Sequence, residues 1–288
     1  MSGIGYKRLV IGMAHDAASQ RAVEAVADFA QFLDIEILAA FIADTTLSAL
    51  TELSGARELR ALELVWQTLE PAKIIGDTDL AVDVVRRRFA QGVGGRPITA
   101  SFDVVAGAEA ITSLIGADDI VAIIEPSHPL DRITWQFTAL LDAAFAKAGA
   151  ALVVPREPVR TSGPIVTVDD SAGVAVRAAV EIAAALKERL IIMTEFGAQP
   201  SRDILARARQ LSVEVEQIVS TALSMGAVQA VTVGSFGERM RVLSSRMLAV
   251  DGGRLSLLLH GIPLLVIGSR EAGSTPGRRQ REVVKPSA

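Results

Sequence analysis

The chain has 288 residues, half of them hydrophobic and 22% charged, so it can form one large or two ordinary domains with an apolar core. A formal net charge of −4 gives no reason to expect a nucleic-acid partner, and the lack of cysteine excludes disulfide and thiolate chemistry. No apolar run reaches the roughly 18 residues of a membrane helix, and no signal peptide is recognisable. We therefore predict a cytoplasmic protein without a membrane partner.

The first half opens with a strand–helix–strand pattern. A continuous apolar run at residues 8–13 predicts a strand buried on both faces, and an apolar stripe predicts an amphipathic helix over 17–33. A second strand is predicted at 35–43. In this order the three elements are typical of a βαβ unit in a parallel sheet.

The remaining helices and strands of the first half are predicted from its apolar runs and from the prolines and glycines that interrupt them. Two helices are predicted at 45–70 and 77–91, divided by Pro71 and a turn at Gly76. The remaining elements are predicted strands at 98–105, 120–124 and 151–154, with a helix over 135–148 before the last of them.

The second half repeats the opening of the first at an offset of about 156 residues, which indicates a tandem duplication. Its predicted strands lie at 165–168, 190–194, 213–219, 228–233 and 264–267, and its predicted helices at 172–189 and 202–210. The sequence therefore predicts an α/β fold of two tandem domains, each a five-stranded parallel sheet flanked by helices.

The domain boundaries follow from composition. Residues 156–163 contain two prolines and end in a glycine, so they are the predicted linker between a first domain at 1–155 and a second at 164–269. Residues 270–288 have few apolar side chains and are predicted to be a disordered tail.

Short segments of the second half carry a family resemblance. Residues 168–171 read Val-Asp-Asp-Ser, residues 233–237 read Val-Gly-Ser-Phe-Gly, and residues 253–267 read as a helix that runs into a Pro-Leu-Leu-Val-Ile strand. In this order they are similar to the first turn, the glycine-rich turn and the last helix and strand of the universal stress protein family. Both halves resemble that domain, which implies an open doubly wound sheet.

The resemblance implies that a bound cofactor, if there is one, is ATP or a related nucleotide in the second half. Asp169 would lie beside the adenine, with Gly234, Ser235 and Gly237 around the phosphates, because glycine lets backbone N–H groups approach an anion. The family's later Gly and Ser or Thr are replaced by residues 247–248, Met-Leu. Asp169 as a helix cap and the glycines as a tight turn are the structural alternatives.

The first half departs further from the family pattern. Ala14 stands where the aspartate would fall, and residues 125–128, Glu-Pro-Ser-His, contain no glycine. Pro126 removes a backbone donor, and Glu125 would repel a phosphate. Nucleotide binding is therefore predicted to be lost in this half.

Histidine is the other residue type that could carry chemistry here. His15 and His128 both follow predicted strand ends and could meet at one pocket mouth, or they are ordinary loop residues, and His260 is predicted to be structural. No metal-ligand spacing or catalytic signature occurs. The sequence therefore predicts no catalytic residue and no metal site.

These observations favour a non-enzymatic stress-response or regulatory module of the universal stress type. The alternatives are a nucleotide-handling α/β hydrolase or transferase, and a pure assembly scaffold. By resemblance, the last strands at 151–154 and 264–267 should pair antiparallel, so that the chain is its own pseudo-dimer and an apolar sheet edge is covered. Association into a homo-oligomer is left open.

Overall fold

A single large sheet dominates the computed structural model. The structure describes residues 5–13, 19–43, 49–50, 53, 55–60, 64–68, 70–126, 135–157, 160–170, 172–196, 198–219, 236–246 and 261–268. The strands are β1 (Arg8–Met13), β2 (Glu36–Ala43), β3 (Arg57–Arg60), β4 (Val65–Thr68), β5 (Ala100–Ala106), β6 (Asp119–Ile124), β7 (Ala150–Val154), β8 (Ile165–Val168), β9 (Leu190–Thr194), β10 (Val215–Val219), β11 (Met240–Ser244) and β12 (Leu264–Ile267). The helices are α1 (Gln20–Leu33), α2 (Pro71–Val93), α3 (Gly107–Leu114), α4 (Trp135–Lys147), α5 (Val174–Leu186) and α6 (Arg202–Gln210).

The ten strands of the sheet follow the order β10-β9-β8-β11-β12-β7-β6-β1-β2-β5. Within each half all neighbouring strands are parallel, and the order reverses at the half's first strand, β1 or β8. β7 and β12 join the halves as antiparallel neighbours, with Leu264 opposite Val153 and Ile267 opposite Ala150. The two predicted five-stranded parallel sheets are present, and they are joined into one continuous sheet.

Helices cover both faces of the sheet, which explains why its central strands are apolar throughout. One apolar cluster lies between the sheet and α1, α2, α5 and α6. A second cluster lies on the other face, beneath α3 and α4. α1 and α5 therefore share a face, and they contact each other across the junction of the halves.

The start of α1 is fixed by a side-chain cap that also contacts the end of β7. The Ser19 hydroxyl accepts a hydrogen bond from the backbone N–H of Ala22 at 3.1 Å and donates to the carbonyl of Arg156. The helix ends at Asp34, whose φ of 55° places it in the left-handed region. The predicted opening of the first half is thus confirmed from β1 to β2, with α1 beginning at Gln20.

The prediction of a helix over 45–70 is wrong for residues 57–60 and 65–68, although residues 49 and 50 are helical. β3 and β4 form a separate antiparallel hairpin there, with Arg57 opposite Thr68 and Arg60 opposite Val65. Val65 and Trp66 favour extended backbone, and Leu64 turns the chain with a φ of 53°. Local β preference and the tight turn therefore override the weak helical pattern.

The predicted turn at Gly76, with the next helix beginning at residue 77, is also wrong, whereas Pro71 does mark the boundary of a helix. α2 begins at Pro71, because the first helical position needs no N–H donor, and it continues through Gly76. Glycine costs a helix about 1 kcal/mol relative to alanine. Burial of Ala81, Val82 and Phe89 farther along α2 offsets that cost.

The predicted strand at 228–233 lies outside the described residues, and a different segment occupies the expected place in the sheet. β11 lies between β8 and β12 and is parallel to both. Its sequence, Met-Arg-Val-Leu-Ser, contains a buried arginine, so it has no continuous apolar run that would mark a buried strand. The segment 233–237 therefore precedes the fourth strand of the second half instead of following it.

The predicted tail, the predicted linker and the predicted lack of a membrane helix remain to be compared with the described residues. The predicted tail at 270–288 lies outside the described residues, and so do residues 158 and 159 of the predicted linker. Within the described ranges, no helix combines the length and the apolar character that crossing a membrane requires.

Candidate functional site

Polar side chains lie at the carboxyl edge of the second half, where its strand order reverses. In open parallel sheets this switch point is the usual place for a ligand. Asp169 and Asp170 directly follow β8, and Ser244 is the last residue of β11. Thr167 lies opposite Val242, so continuing the parallel register by two residues brings Asp169 opposite Ser244.

Several oxygens at this edge are buried without hydrogen bonds. Among the described residues, both carboxylate oxygens of Asp170 and the hydroxyl oxygen of Ser244 have no hydrogen-bond partner. Ser244 is 3% exposed. Leaving such groups unsatisfied costs about 1–3 kcal/mol each, so a cluster of them marks a place where a ligand can supply the missing partners.

The electrostatics of the edge favour hydrogen-bond donors over anions. Burial, and secondly the charge of Asp170, raise the pKa of Asp169 above its ordinary value. The backbone holds both residues in place, since the Asp169 N–H donates to the Met193 carbonyl and the Gly173 N–H donates to the Asp170 carbonyl. Amino or hydroxyl groups of a ligand could bind here, whereas a phosphate close to the two carboxylates would be repelled.

The structure separates the residues that the sequence predicted to bind one nucleotide. Asp169 lies at the carboxyl edge, Gly234 and Ser235 lie outside the described residues, and Gly237 precedes β11 at the opposite edge. Gly237 there contacts Gly163, which precedes β8. Asp169 and Gly237 are thus separated by the length of a strand, and the structure does not bring them together.

Sequence reasoning missed two residues of this edge. Asp170 was visible beside Asp169, but the sequence gives no sign that its carboxylate is buried. Ser244 could not be assigned, because 228–233 rather than β11 was predicted to be the strand before the glycine turn. The buried Arg241 near the start of β11 hides that strand from any search for apolar runs.

The strands that reach the corresponding edge of the first half end in apolar residues, and residues 14–18 and 127–134 beyond them lie outside the described residues. Met13 and Ile124 end β1 and β6, and both are fully buried or nearly so. A Cβ on Gly12 would lie 2.5 Å from Leu140 Cδ2, so the Leu140 side chain of α4 packs directly on β1. Beyond β6, the Glu125 N–H donates to the Val154 carbonyl at 2.8 Å. This edge offers no buried oxygen cluster like that of the second half among its described residues.

His15, His128 and His260 all lie outside the described residues, so their predicted meeting or structural role stays a prediction. In the part of the chain that the structure covers, no three His, Cys, Asp or Glu side chains are grouped so that they could hold a metal ion.

The raised pKa of Asp169 predicts a specific pH dependence. Its stabilising contribution is fully present below the unfolded carboxyl pKa, near 4, and is lost as pH rises through the higher folded value. Asp169→Asn should therefore raise the melting temperature near pH 7, with the gain vanishing below about pH 4. Thermal unfolding of both proteins across this range measures the effect.

The matched control for this measurement is Glu214→Gln, an exposed carboxylate at the opposite edge of the same half. It should not change the melting temperature in a pH-dependent way. If Asp169→Asn and Glu214→Gln behave alike at every pH, Asp169 is not held in an environment that disfavours its charge.

Comparison with solved structures identifies the fold. The chain is similar to a universal stress protein from Archaeoglobus fulgidus, with a TM-score of 0.58, 13% identity, and coverage of 91% of this chain and 96% of that one. A putative universal stress protein from Pseudomonas aeruginosa aligns with a TM-score of 0.43, 13% identity, and coverage of 93% and 95%. A universal stress protein in complex with cAMP aligns with a TM-score of 0.33, 14% identity, and coverage of 53% and 99%.

No model of a protein family matches the sequence, and the comparison with curated proteins also finds no match. The likeness to the Archaeoglobus fulgidus structure extends over nearly the whole of both chains. The chain therefore has a universal-stress-type α/β fold, and the resemblance inferred from its sequence is confirmed at the level of the fold.

Proposed function

We propose that this chain is a non-enzymatic regulatory module of the universal stress type that binds the nucleoside part of a nucleotide, in its second half only. The observation that carries the proposal is the contrast between the two carboxyl edges. Asp170 and Ser244, which lie beside Asp169, have buried oxygens without hydrogen-bond partners among the described residues, whereas Met13 and Ile124, the last residues of the corresponding strands of the first half, are buried and apolar.

The hydrogen-bonding groups at the carboxyl edge of the second half favour a nucleoside as the ligand. The amino group of adenine and the hydroxyls of ribose are donors, and the oxygens of Asp170 need donors. The phosphates of ATP would gain little, because the carboxylates of Asp169 and Asp170 repel them and no glycine-rich cradle directly follows β11, where residues 245 and 246 are Ser-Arg. Adenosine should therefore bind at least as tightly as ATP.

We further infer that the two halves act as an internal pseudo-dimer, with the domain boundary at 156–163. The antiparallel contact of β7 with β12 supports this inference, since it covers the apolar strand that each half would otherwise leave at an open edge. Ala151 and Val266 lie opposite each other at the contact, and both are at most 2% exposed. Association of whole chains would have to use another surface.

Calorimetric titration of adenosine and ATP into the intact protein tests the ligand proposal. Asp170→Ala should weaken adenosine binding at least about tenfold, which corresponds to 1.4 kcal/mol, because it removes the acceptor oxygens. Glu214→Gln should leave adenosine binding unchanged. Absence of adenosine binding would reject the ligand and favour an assembly scaffold, and turnover of ATP by the purified protein would favour the hydrolase or transferase alternative.

A further inference from the structure

A cavity of about 360 Å³ lies between the two halves, on the sheet face that carries α1 and α5. α1 forms one wall, and the segments around Arg160 and Arg239 form the opposite wall. β7 contributes the floor, and Pro263 marks the end of the cavity where β12 begins. The cavity is thus separate from Asp169, Asp170 and Ser244 at the carboxyl edge of the second half.

The floor of this cavity is apolar, and the α1 wall combines aromatic rings with charged side chains. Leu152 and Val154 of β7 point to this face, and Phe29 and Phe32 line it from α1. Phe32 is 38% exposed, although it belongs to a helix that packs on the sheet. An exposed aromatic ring in a concave, largely apolar site is a suitable platform for a flat ligand.

Most charged groups around the cavity are already paired. Arg21 binds Glu157 at 3.2 Å, and Arg96 reaches in to bind Asp28 at 2.8 Å. These pairs neutralise Arg21 and Asp28, whereas Glu24 on the same wall accepts a hydrogen bond from the Gln20 side chain at 2.8 Å and has no ion pair with a described residue.

The opposite wall carries two further arginines. Arg239 contacts Glu188 at 3.5 Å, and its guanidinium lies 5.4 Å from the centre of the Phe32 ring. Arg160 has no hydrogen bond or ion pair with any described residue. Within the described part of the chain, its guanidinium on the rim therefore has no anionic partner.

Gly237 is part of the arrangement that positions Arg160. A Cβ at residue 237 would lie 2.5 Å from Arg160 Nη1, and the backbone there has a φ of 67°. Glycine both adopts this left-handed conformation without strain and leaves room for the guanidinium. Gly237, which the sequence suggested as a phosphate ligand, thus supports a cation at the junction of the halves.

At the other end of the contact between β7 and β12, a tyrosine side chain packs at the position that corresponds to the cavity. Gly149 directly precedes β7, as Pro263 directly precedes β12, and the two strands pair antiparallel. Tyr6 packs on Gly149, with its hydroxyl donating to the Gly149 carbonyl at 3.2 Å. At Pro263 the chain leaves a cavity instead. The difference is a property of the sequence, because Tyr6 has no aromatic counterpart in residues 160–163.

We propose that this cavity binds a small aromatic carboxylate. The ring of the ligand would lie against Phe32 and the floor formed by β7, and its carboxylate would accept hydrogen bonds from Arg160. A cavity of this size matches the lower range of small-molecule sites. This site is independent of the proposed nucleoside site, so either can fail without the other.

Calorimetric titration with 2-naphthoate and its uncharged analogue 2-naphthalenemethanol tests the proposal in the full-length protein. The wild type should bind the acid at least about fivefold more tightly than the alcohol, because the hydrogen bond to Arg160 is charge-assisted. Arg160→Ala should abolish this preference and leave alcohol binding unchanged. Phe32→Ala should weaken both ligands at least about threefold, since both lose contact with the ring.

Two variants serve as matched controls. Arg209→Ala removes an exposed arginine of α6, and Phe196→Ala removes a phenylalanine that is 88% exposed beyond β9. Both should bind the two ligands as the wild type does. The proposal is overturned if the wild type shows no binding of the acid up to about 5 mM, or if Arg160→Ala keeps the preference for the acid. An equal loss in the control variants would also overturn it.

Discussion

Replacing Glu238 by alanine is expected to lower the free energy of unfolding by about 3–5 kcal/mol, because it leaves the charge of Arg241 buried without its partner. Glu238 is 1% exposed and Arg241 is 6% exposed. The Arg241 Nε donates to Glu238 Oε1 at 2.9 Å, and its Nη2 donates to the same oxygen. The other carboxylate oxygen accepts from the Phe236 N–H at 3.0 Å, so this one side chain also fixes the entry to β11.

Urea unfolding followed by circular dichroism measures this effect. Asp83→Ala is the matched control, since Asp83 forms an i,i+3 pair with Arg86 at 3.3 Å on the exposed surface of α2. It should change the free energy of unfolding by no more than about 0.5 kcal/mol.

A double variant separates the charge effect from simple loss of contacts. Glu238→Ala combined with Arg241→Met should recover much of the stability, because no unpaired charge then remains buried. If Glu238→Ala costs no more than Asp83→Ala, the ion pair does not hold β11 in the sheet.

The sequence predicts well those elements of the fold whose buried positions are occupied by apolar residues. Leu9, Val10 and Ile11 are all fully buried, and the α1 stripe packs on the sheet face that carries Leu9 and Ile11, as the 3.6-residue period predicts. The sequence cannot predict elements whose stability depends on distant contacts. β11 is such an element, because the burial of Arg241 becomes favourable only once Glu238 is folded beside it.

The candidate site was predictable only in part, for the same reason. Asp169 follows an apolar strand that is easily recognised, so its place at the carboxyl edge could be predicted. The position of Gly237 depends on which segment forms the strand next to β8. The sequence does not identify β11 as that strand, because the buried Arg241 interrupts its apolar run. Asp170 and Ser244 belong to the site because their oxygens are buried without partners, which is a tertiary property that no local pattern encodes.

The cavity between the halves could not be predicted from either half alone. Its walls come from α1 and from residues near the starts of β8 and β11, which are brought together only through the contact of β7 with β12. A ligand bound there would contact both halves at once. Such a ligand would stabilise their junction through its preference for the joined state.

Replacing Gly149 by alanine is expected to destabilise the junction by about 1–3 kcal/mol, because no space exists for a methyl group. A Cβ there would lie 2.5 Å from the Ala117 carbonyl oxygen and 2.6 Å from Tyr6 Cε1. The backbone oxygen belongs to the turn before β6 and cannot rotate away as the end of a side chain could. The Gly149 carbonyl also accepts from the Gly268 N–H at 2.8 Å, so any shift weakens the link between β7 and β12.

Gly76→Ala is the matched control, because it adds the same methyl group where nothing lies within 4 Å. Since Gly76 lies inside α2, alanine should stabilise the protein there by about 0.5–1 kcal/mol. Thermal and urea unfolding of both variants should thus give changes of opposite sign. A Gly149→Ala protein as stable as the wild type would mean that Tyr6 and the turn at Ala117 can move apart, so that close packing of Tyr6 is not what fills this side of the junction.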